Sequence, residues 1–425
     1  MSELRVLDAI KRPMQRLGYL KRLVKRVTTL NTSNLDNLGA DLIETVSRKV
    51  RVPLDETRVS YIKTRLLDRI YKTLKNQADA WTKNGLSEPL FAQMELQDLY
   101  LSDVALPSQV GKLVQRDWRK YPVLGTILGF VRAGTYSANT RALTLMLLTS
   151  ESELKAFLEY KPEHNPLRIT PEQALLFLYS FFASDGEVVA PLMAQLLEQH
   201  TNGFSDREAG SYLPEIYRSI TTRHRKGSIP VEERKRLEVL DKSSESIAKA
   251  VAATVYAGGS AREEASRPRL EPYVDMGLLT KPDPARYEQY EFSAAGRVWA
   301  EALTGVLTSE DLTEFLAQRF FTVAARAAGV EARVLTTPAE IVPYLHSAWL
   351  AIQSPGGYAP IEELALLGGI RALLNDQCVF NHAPAQKALI DYQKQKPYDV
   401  RFTVNRLGVL AHTCFIEAPA PTPAQ

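Results

Sequence analysis

Residues 260–303 read SAREEASRPRLEPYVDMGLLTKPDPARYEQYEFSAAGRVWAEAL, and the order of signals in this stretch decides the fold expected of the chain. Ser260 followed three residues later by Glu263 is a capping-box pattern, which predicts a short helix there. A second helix is predicted to carry Arg267, Arg269, Leu270, Tyr273 and Val274 and to stop at Gly277, the residue type that best accepts left-handed geometry after a helix. Leu278-Leu279-Thr280 then opens a strand, and Lys281-Pro282-Asp283-Pro284 makes a loop. Tyr287 to Phe292 returns as the partner strand, and Ser293-Ala294-Ala295-Gly296 caps another helix.

The segment RLEPYVDMGLLTK with the following YEFSAAGRVWAEAL resembles the pattern R-L-x-x-L-x-x-x-G-L-L … Y-x-L-T-x-A-G of winged-helix DNA-binding domains. The resemblance covers about 45 of 425 residues and is one of superfamily. It implies that the helix after Ser266 enters a major groove, with Arg267 and Arg269 at base edges or phosphates, because the Arg fork matches guanine and phosphate geometry. Lys281 and Arg286, at the two ends of the wing loop, would touch the backbone or minor groove. Pro268 is tolerated in a first turn, whereas Pro272 predicts a kink or an early end. The competing expectation pairs the two arginines with Glu263, Glu264 or Glu271 at the surface. Many winged helices bind only protein, so both kinds of partner stay open.

Residues 338–417 are expected to form a second winged helix. Ile341, Leu345, Trp349 and Ile352 make one helical stripe, which Ser354-Pro355-Gly356-Gly357 ends. Pro360 to Asn375 reads as a second helix and Pro384 to Gln395 as a third. Val400, Phe402 and Val404 alternate with Arg401, Thr403 and Asn405, and Arg406-Leu407-Gly408 turns into a partner strand, a hairpin pattern. Lys387, Lys394 and Lys396 on or beside the third helix, with Arg401 and Arg406 in the hairpin, supply charge for phosphate contacts. The two stretches do not align in sequence, so any repetition is architectural.

At the other end, Val6, Ile10, Met14, Leu17, Leu20, Val24 and Val27 recur at helical spacing, with Lys11, Arg12, Arg16, Lys21, Arg22, Lys25 and Arg26 over much of the remaining surface. Residues 1–76 hold 17 Lys/Arg against 8 Asp/Glu, a balance of +9, and the remaining 349 residues carry −6. A basic arm on a mildly acidic body points to a polyanion, or to a solvated helical face. The full expectation is a mainly α protein. It has a basic helical arm (1–85), a helical domain (86–222), a charged linker (223–237) and a winged helix (238–305). A helical connector (306–337), a C-terminal winged helix (338–417) and a disordered tail (418–425) complete it. Within the helical domain, Ile127 to Leu148 reads as helix, turn, helix with Ser137 as a cap, and Asp185-Gly186-Glu187 as a turn between helices.

Composition narrows the classes. Hydrophobic residues make up 45% and charged residues 24%, as in globular proteins. Two cysteines, Cys378 and Cys414, are too few for a disulfide framework, so a cytoplasmic, nucleoid-associated setting is expected. Apolar runs such as Ala174 to Ala183 are too short to cross a bilayer. Phosphate-cradling, dinucleotide, GxSxG and HExxH signatures are all missing from the sequence. Glu153-Leu154-Lys155 and Glu233-Arg234-Lys235 have the E-x-K shape of metal-dependent nucleases, but in helical contexts and without a preceding acidic strand. Cys378 near His382 lacks an orienting acid and reads as a buried thiol. No catalytic residue, cofactor or metal is therefore expected.

The resulting expectation is a non-enzymatic DNA-binding subunit of a multi-protein DNA-handling system, one directed at foreign DNA being among the candidates. It contacts duplex DNA mainly through phosphates and leaves a homodimer open. The alternative is a kleisin-like scaffold whose winged helices bind other subunits.

Overall fold

The computed structural model describes residues 4–7, 17–18, 20–21, 24, 28, 120–132, 138–158, 169–200, 203–226, 230–252, 261–282, 289–405 and 409–417. Most of the basic arm, the wing-loop residue Arg286, the turn residue Arg406, Ser137, and the tail 418–425 lie outside them. The chain forms two bodies. Met1–Arg16, Ala174–Ala348 and Gly357–Gln425 make the larger, and Leu17–Gln173 with Trp349–Gly356 the smaller. Of the described residues, 69% are helical.

In the smaller body α1 (Lys120–Ile127) and α2 (Thr140–Leu158) are joined through an isolated bridge between Val131 and Ala138. The cap expected at Ser137 is supplied by Asn139. Its Oδ1 accepts from Ala142 N–H at 3.2 Å while its amide donates to the Gly129 carbonyl. Lys21, expected on the solvated basic face, is buried to 4% exposure.

The larger body is built on α3 (Pro171–Gln199), an apolar helix. It is the one helix among the described residues long and apolar enough to cross a membrane, but 78% of that apolar window is buried inside the protein, which marks a core helix. Asp185, Gly186 and Glu187 lie within it, not in a turn. A short strand, β1 (Phe204–Ser205), leads into α4 (Asp206–Arg225), whose start is fixed by a reciprocal Ser205–Glu208 capping box. Next come α5 (Val231–Ala252) and α6 (Ala261–Asp275), then β2 (Leu279–Thr280) and β3 (Gln289–Phe292). The expected linker is thus mostly helix: Arg223 to Arg225 close α4, and Val231 to Arg236 open α5. The two helices expected between Ser260 and Gly277 are one, which carries both Pro268 and Pro272. Gly277 follows it at φ +76°, and the Leu278 N–H returns to the Tyr273 carbonyl at 2.8 Å, closing the helix end as its glycine predicts.

Beyond Ser293, whose hydroxyl accepts from Gly296 N–H at 3.0 Å, lie α7 (Ala294–Ala302), α8 (Ser309–Gln318), α9 (Phe320–Ala327) and β4 (Arg333–Val334). Their aromatic rings meet those of α3 in one core. Phe182 lies 5.6 Å from Trp299, Trp299 5.3 Å from Phe320, and Phe320 5.2 Å from Tyr179 between centroids. Gly186 lets α3 and α8 close up, since a Cβ there would stand 2.6 Å from a Leu312 methyl.

The last section runs α10 (Pro338–Ile352), β5 (Ala359–Pro360), α11 (Ile361–Asp376), β6 (Cys378–Val379), α12 (His382–Gln395), β7 (Val400–Val404) and β8 (Leu410–Phe415). The hairpin pairs Val400 with Phe415 and Phe402 with Thr413, as the alternation predicted. The two antiparallel sheets of the larger body share one arrangement. Their orders, β1-β3-β2 and β5-β8-β7, both place the last strand of the sequence in the middle.

Candidate nucleic-acid interface

In the C-terminal section α12 buries Ala385, Ala388, Leu389 and Tyr392 and turns Lys387 and Lys394 outward. This is the three-and-four spacing of an amphipathic helix. Lys394 pairs at 3.2 Å with Asp391 one turn earlier, and Lys396 approaches Asp399 at 3.7 Å while lying over the Tyr392 ring. Arg401 is exposed on β7. Lys387 and Arg401 have no ion-pair partner among the described residues. Such exposed pairs hold each lysine weakly, so four cations on one helix and the adjoining strand are available to an external anion.

The earlier section is arranged oppositely. Its helix α6 buries Ser266, Pro268, Arg269, Leu270, Glu271, Pro272 and Tyr273, so it is a core helix and cannot lie in a DNA groove in this conformation. Arg267 closes on Asp206, with Nε 2.8 Å and Nη2 2.5 Å from Oδ2, and the Asp206 carboxylate sits in the first turn of α4, where the helix dipole favours it. Arg269 is 3% exposed; its Nε donates to Asp185 Oδ2 at 2.7 Å and its Nη2 to the Leu7 carbonyl at 2.7 Å. Burial is the largest influence and opposes its charge, but the Asp185 carboxylate together with Tyr217 and Tyr273 more than offsets it and raises the pKa. In this structure both arginines turn to carboxylates of other helices, Arg267 to Asp206 and Arg269 to Asp185, rather than outward to a groove. Lys281 is drawn back to Glu271 at 2.6 Å, where the Tyr290 hydroxyl also donates at 2.7 Å.

A charged cluster that sequence reasoning missed surrounds Leu4–Leu7. Asp185 Oδ1 accepts from Leu7 N–H at 2.8 Å, and Glu187 Oε2 from Arg5 N–H at 2.9 Å. Glu187 N–H donates back to the Arg5 carbonyl at 3.3 Å, and Arg236 Nη2 to the Val6 carbonyl at 2.6 Å. His224 Nε2 lies 2.9 Å from Glu187 Oε1, a hydrogen bond that raises the histidine pKa against partial burial. The signal was two acids in the middle of an apolar helix, which demand buried partners.

Cys378 is buried, and its thiol meets the Asp376 carbonyl at 3.4 Å; burial lowers the His382 pKa. Among the described residues no group of three or more His, Cys, Asp or Glu could hold a metal ion. No family model, curated protein or solved structure matches this chain.

Proposed function

We propose that the protein is a non-enzymatic DNA-binding subunit that contacts duplex phosphates chiefly through its C-terminal section, read as a winged helix. The observation that carries this reading is α12. It is the third helix of an order α10, β5, α11, β6, α12, β7, β8, with the last strand central in the β5-β8-β7 sheet, and it exposes Lys387 and Lys394 ahead of the exposed Arg401 on β7. Apart from β6, which pairs with β4, that order resembles the winged-helix order, in which the third helix faces the groove and the hairpin is the wing. The earlier section shares the strand order but buries its third helix, so here it is a structural module. The +9 charge of residues 1–76 supplies further phosphate contacts.

The test is a gel-shift titration over a salt series with the Lys387→Glu/Lys394→Glu/Arg401→Glu variant. Loss of three phosphate contacts reduces the log–log salt slope by about 2.7, at roughly 0.9 per phosphate. A slope equal to that of the unaltered protein would sink the reading.

A second reading, a kleisin-like scaffold, is favoured by the apolar residues around the same hairpin. Tyr398 is 85% exposed, Val404 60% and Val409 52%. Partner capture that Val404→Ser/Val409→Ser abolishes, with DNA affinity absent in the unaltered chain, would establish it instead.

A further inference from the structure

The stretch Leu4–Leu7 is held differently from the rest of the core. Ordinary buried backbone pairs with backbone, but here side chains from α3, α5 and α6, with one backbone N–H of α3 at Glu187, capture the main chain of residues 5 to 7. Both backbone groups of Arg5, both of Leu7 and the Val6 carbonyl are matched. Residues 5 and 7 turn to α3 and α6 while the Val6 carbonyl turns to α5, the two-residue alternation of an extended chain. Leu4, Val6 and Leu7 are buried, and Arg5 Nη2 reaches Thr313 Oγ1 on α8 at 2.9 Å. A main chain read by fixed polar groups, with pockets for aliphatic side chains, is how proteins bind extended peptides.

We propose that this groove is a peptide-binding site, and that its occupant can come from a second copy of the chain, two copies joining by exchange of residues 4–7. The groups that hold the strap lie 178 to 308 positions from their partners in it, so ligand and receptor are chemically separate pieces of one chain. Every contact made in cis is reproduced in trans, which makes exchange of an identical element a low-cost route to a dimer. An empty groove is disfavoured by its own charges. Without the strap, Asp185, Glu187 and Arg269 lose their main-chain partners in residues 5 to 7, a cost that favours a groove filled from one chain or the other. The sequence that fits is this chain's own Leu-Arg-Val-Leu.

The experiment uses the full chain carrying Val6→Glu, which spoils the strap and leaves the groove intact. A labelled peptide of residues 2–9 (SELRVLDA, blocked at both ends) binds this variant saturably, at least tenfold more tightly than it binds the unaltered protein, whose own strap competes. Refolding the unaltered protein from urea at high concentration yields a dimer by light scattering, which excess peptide suppresses and Val6→Glu lacks. Absence of saturable binding to folded variant overturns the site. Peptide binding without a strap-dependent dimer overturns the exchange. If Val6→Glu does not fold, the milder Leu4→Ala/Val6→Ala variant replaces it. Failure of both to fold also overturns the proposal, because the strap is then an inseparable part of the core.

Discussion

Arg269 and Asp185 meet as a closed fork inside the protein, Nε to Oδ2 at 2.7 Å and Nη2 to Oδ1 at 3.2 Å, from helices 84 positions apart in sequence. Leu7 completes a triangle with them, its N–H donating to Asp185 and its carbonyl accepting from Arg269, while Arg269 Nη1 donates to the Ala265 carbonyl at 3.1 Å. The charges are therefore matched as a triangle rather than as a pair, the condition under which burying them is tolerable.

Asp185→Asn breaks that triangle on one side and leaves the Arg269 guanidinium buried without a counter-charge. A loss of about 3–5 kcal/mol in folding stability is expected, measured by urea titration. The double variant Asp185→Leu/Arg269→Met removes both charges and should recover much of it. Equal stability of Asp185→Asn and the unaltered protein would show that the fork is not closed in solution.

His224 gives a pH dependence of definite sign. Its hydrogen bond with Glu187 raises the folded pKa above the ordinary value, with Glu233 adding to the rise and Arg223 opposing it. The charged ring's contribution to stability is thus fully present below the unfolded value of about 6.5 and fades as pH climbs through the folded one. Melting temperature should fall across that interval, and His224→Gln should flatten the fall. An unchanged profile in the variant would assign the dependence elsewhere.

Glu340 titrates with the opposite sign. Hydrogen bonds from Thr337 and Thr336, together with Arg333, hold its carboxyl down at about 2. Its support for the start of α10 is present above the ordinary carboxylate range and is lost as pH falls towards 2. Glu340→Gln should narrow the gap between the variant and the unaltered protein in acid while leaving it open at pH 7.

Gly186→Ala tests the close approach of α3 and α8. The added Cβ meets two Leu312 methyls within 3 Å, so a core side chain must move. A destabilisation of about 1–3 kcal/mol is expected. The companion Leu312→Ala opens room for the new methyl, so the double variant should lose less than the two single losses combined.

The C-terminal section was legible because each of its elements carries a local signal. Ser354-Pro355-Gly356-Gly357 stops α10, and strict alternation at Val400, Phe402 and Val404 builds β7. The earlier section was legible only in its second half. Its opening strand is two residues long, too short for any period to show, and Phe204 finds its partner at Tyr290. Asp185-Gly186-Glu187 has turn chemistry, yet Arg269, His224 and the strap keep it helical, a tertiary override of local preference. The direction of Arg267 and Arg269 could not be read, because an arginine fork suits a buried aspartate as well as a phosphate. The strap also bears on how the basic charge of residues 1–76 can be tested by deleting residues 1–30. Such a deletion removes basic charge and the strap together, so the charge is better tested by substitution at Lys25 and Arg26, away from the strap.

The position of the strap also imposes an order on synthesis. Residues 4–7 leave the ribosome well before their receptors: Asp185 follows 178 residues after Leu7, Arg269 after 262 and Thr313 only 308 after Arg5. At about 5–20 residues per second, the first segment waits roughly 15–60 s for its last receptor. Throughout that interval the groove for its apolar side chains is incomplete, and α3 emerges with two carboxylates whose side-chain partners, Arg269 and His224, are not yet made. The larger body therefore cannot close domain by domain from its beginning. It closes late and around residues 4–7, and a nascent chain arrested before Arg269 should remain open to protease along α3.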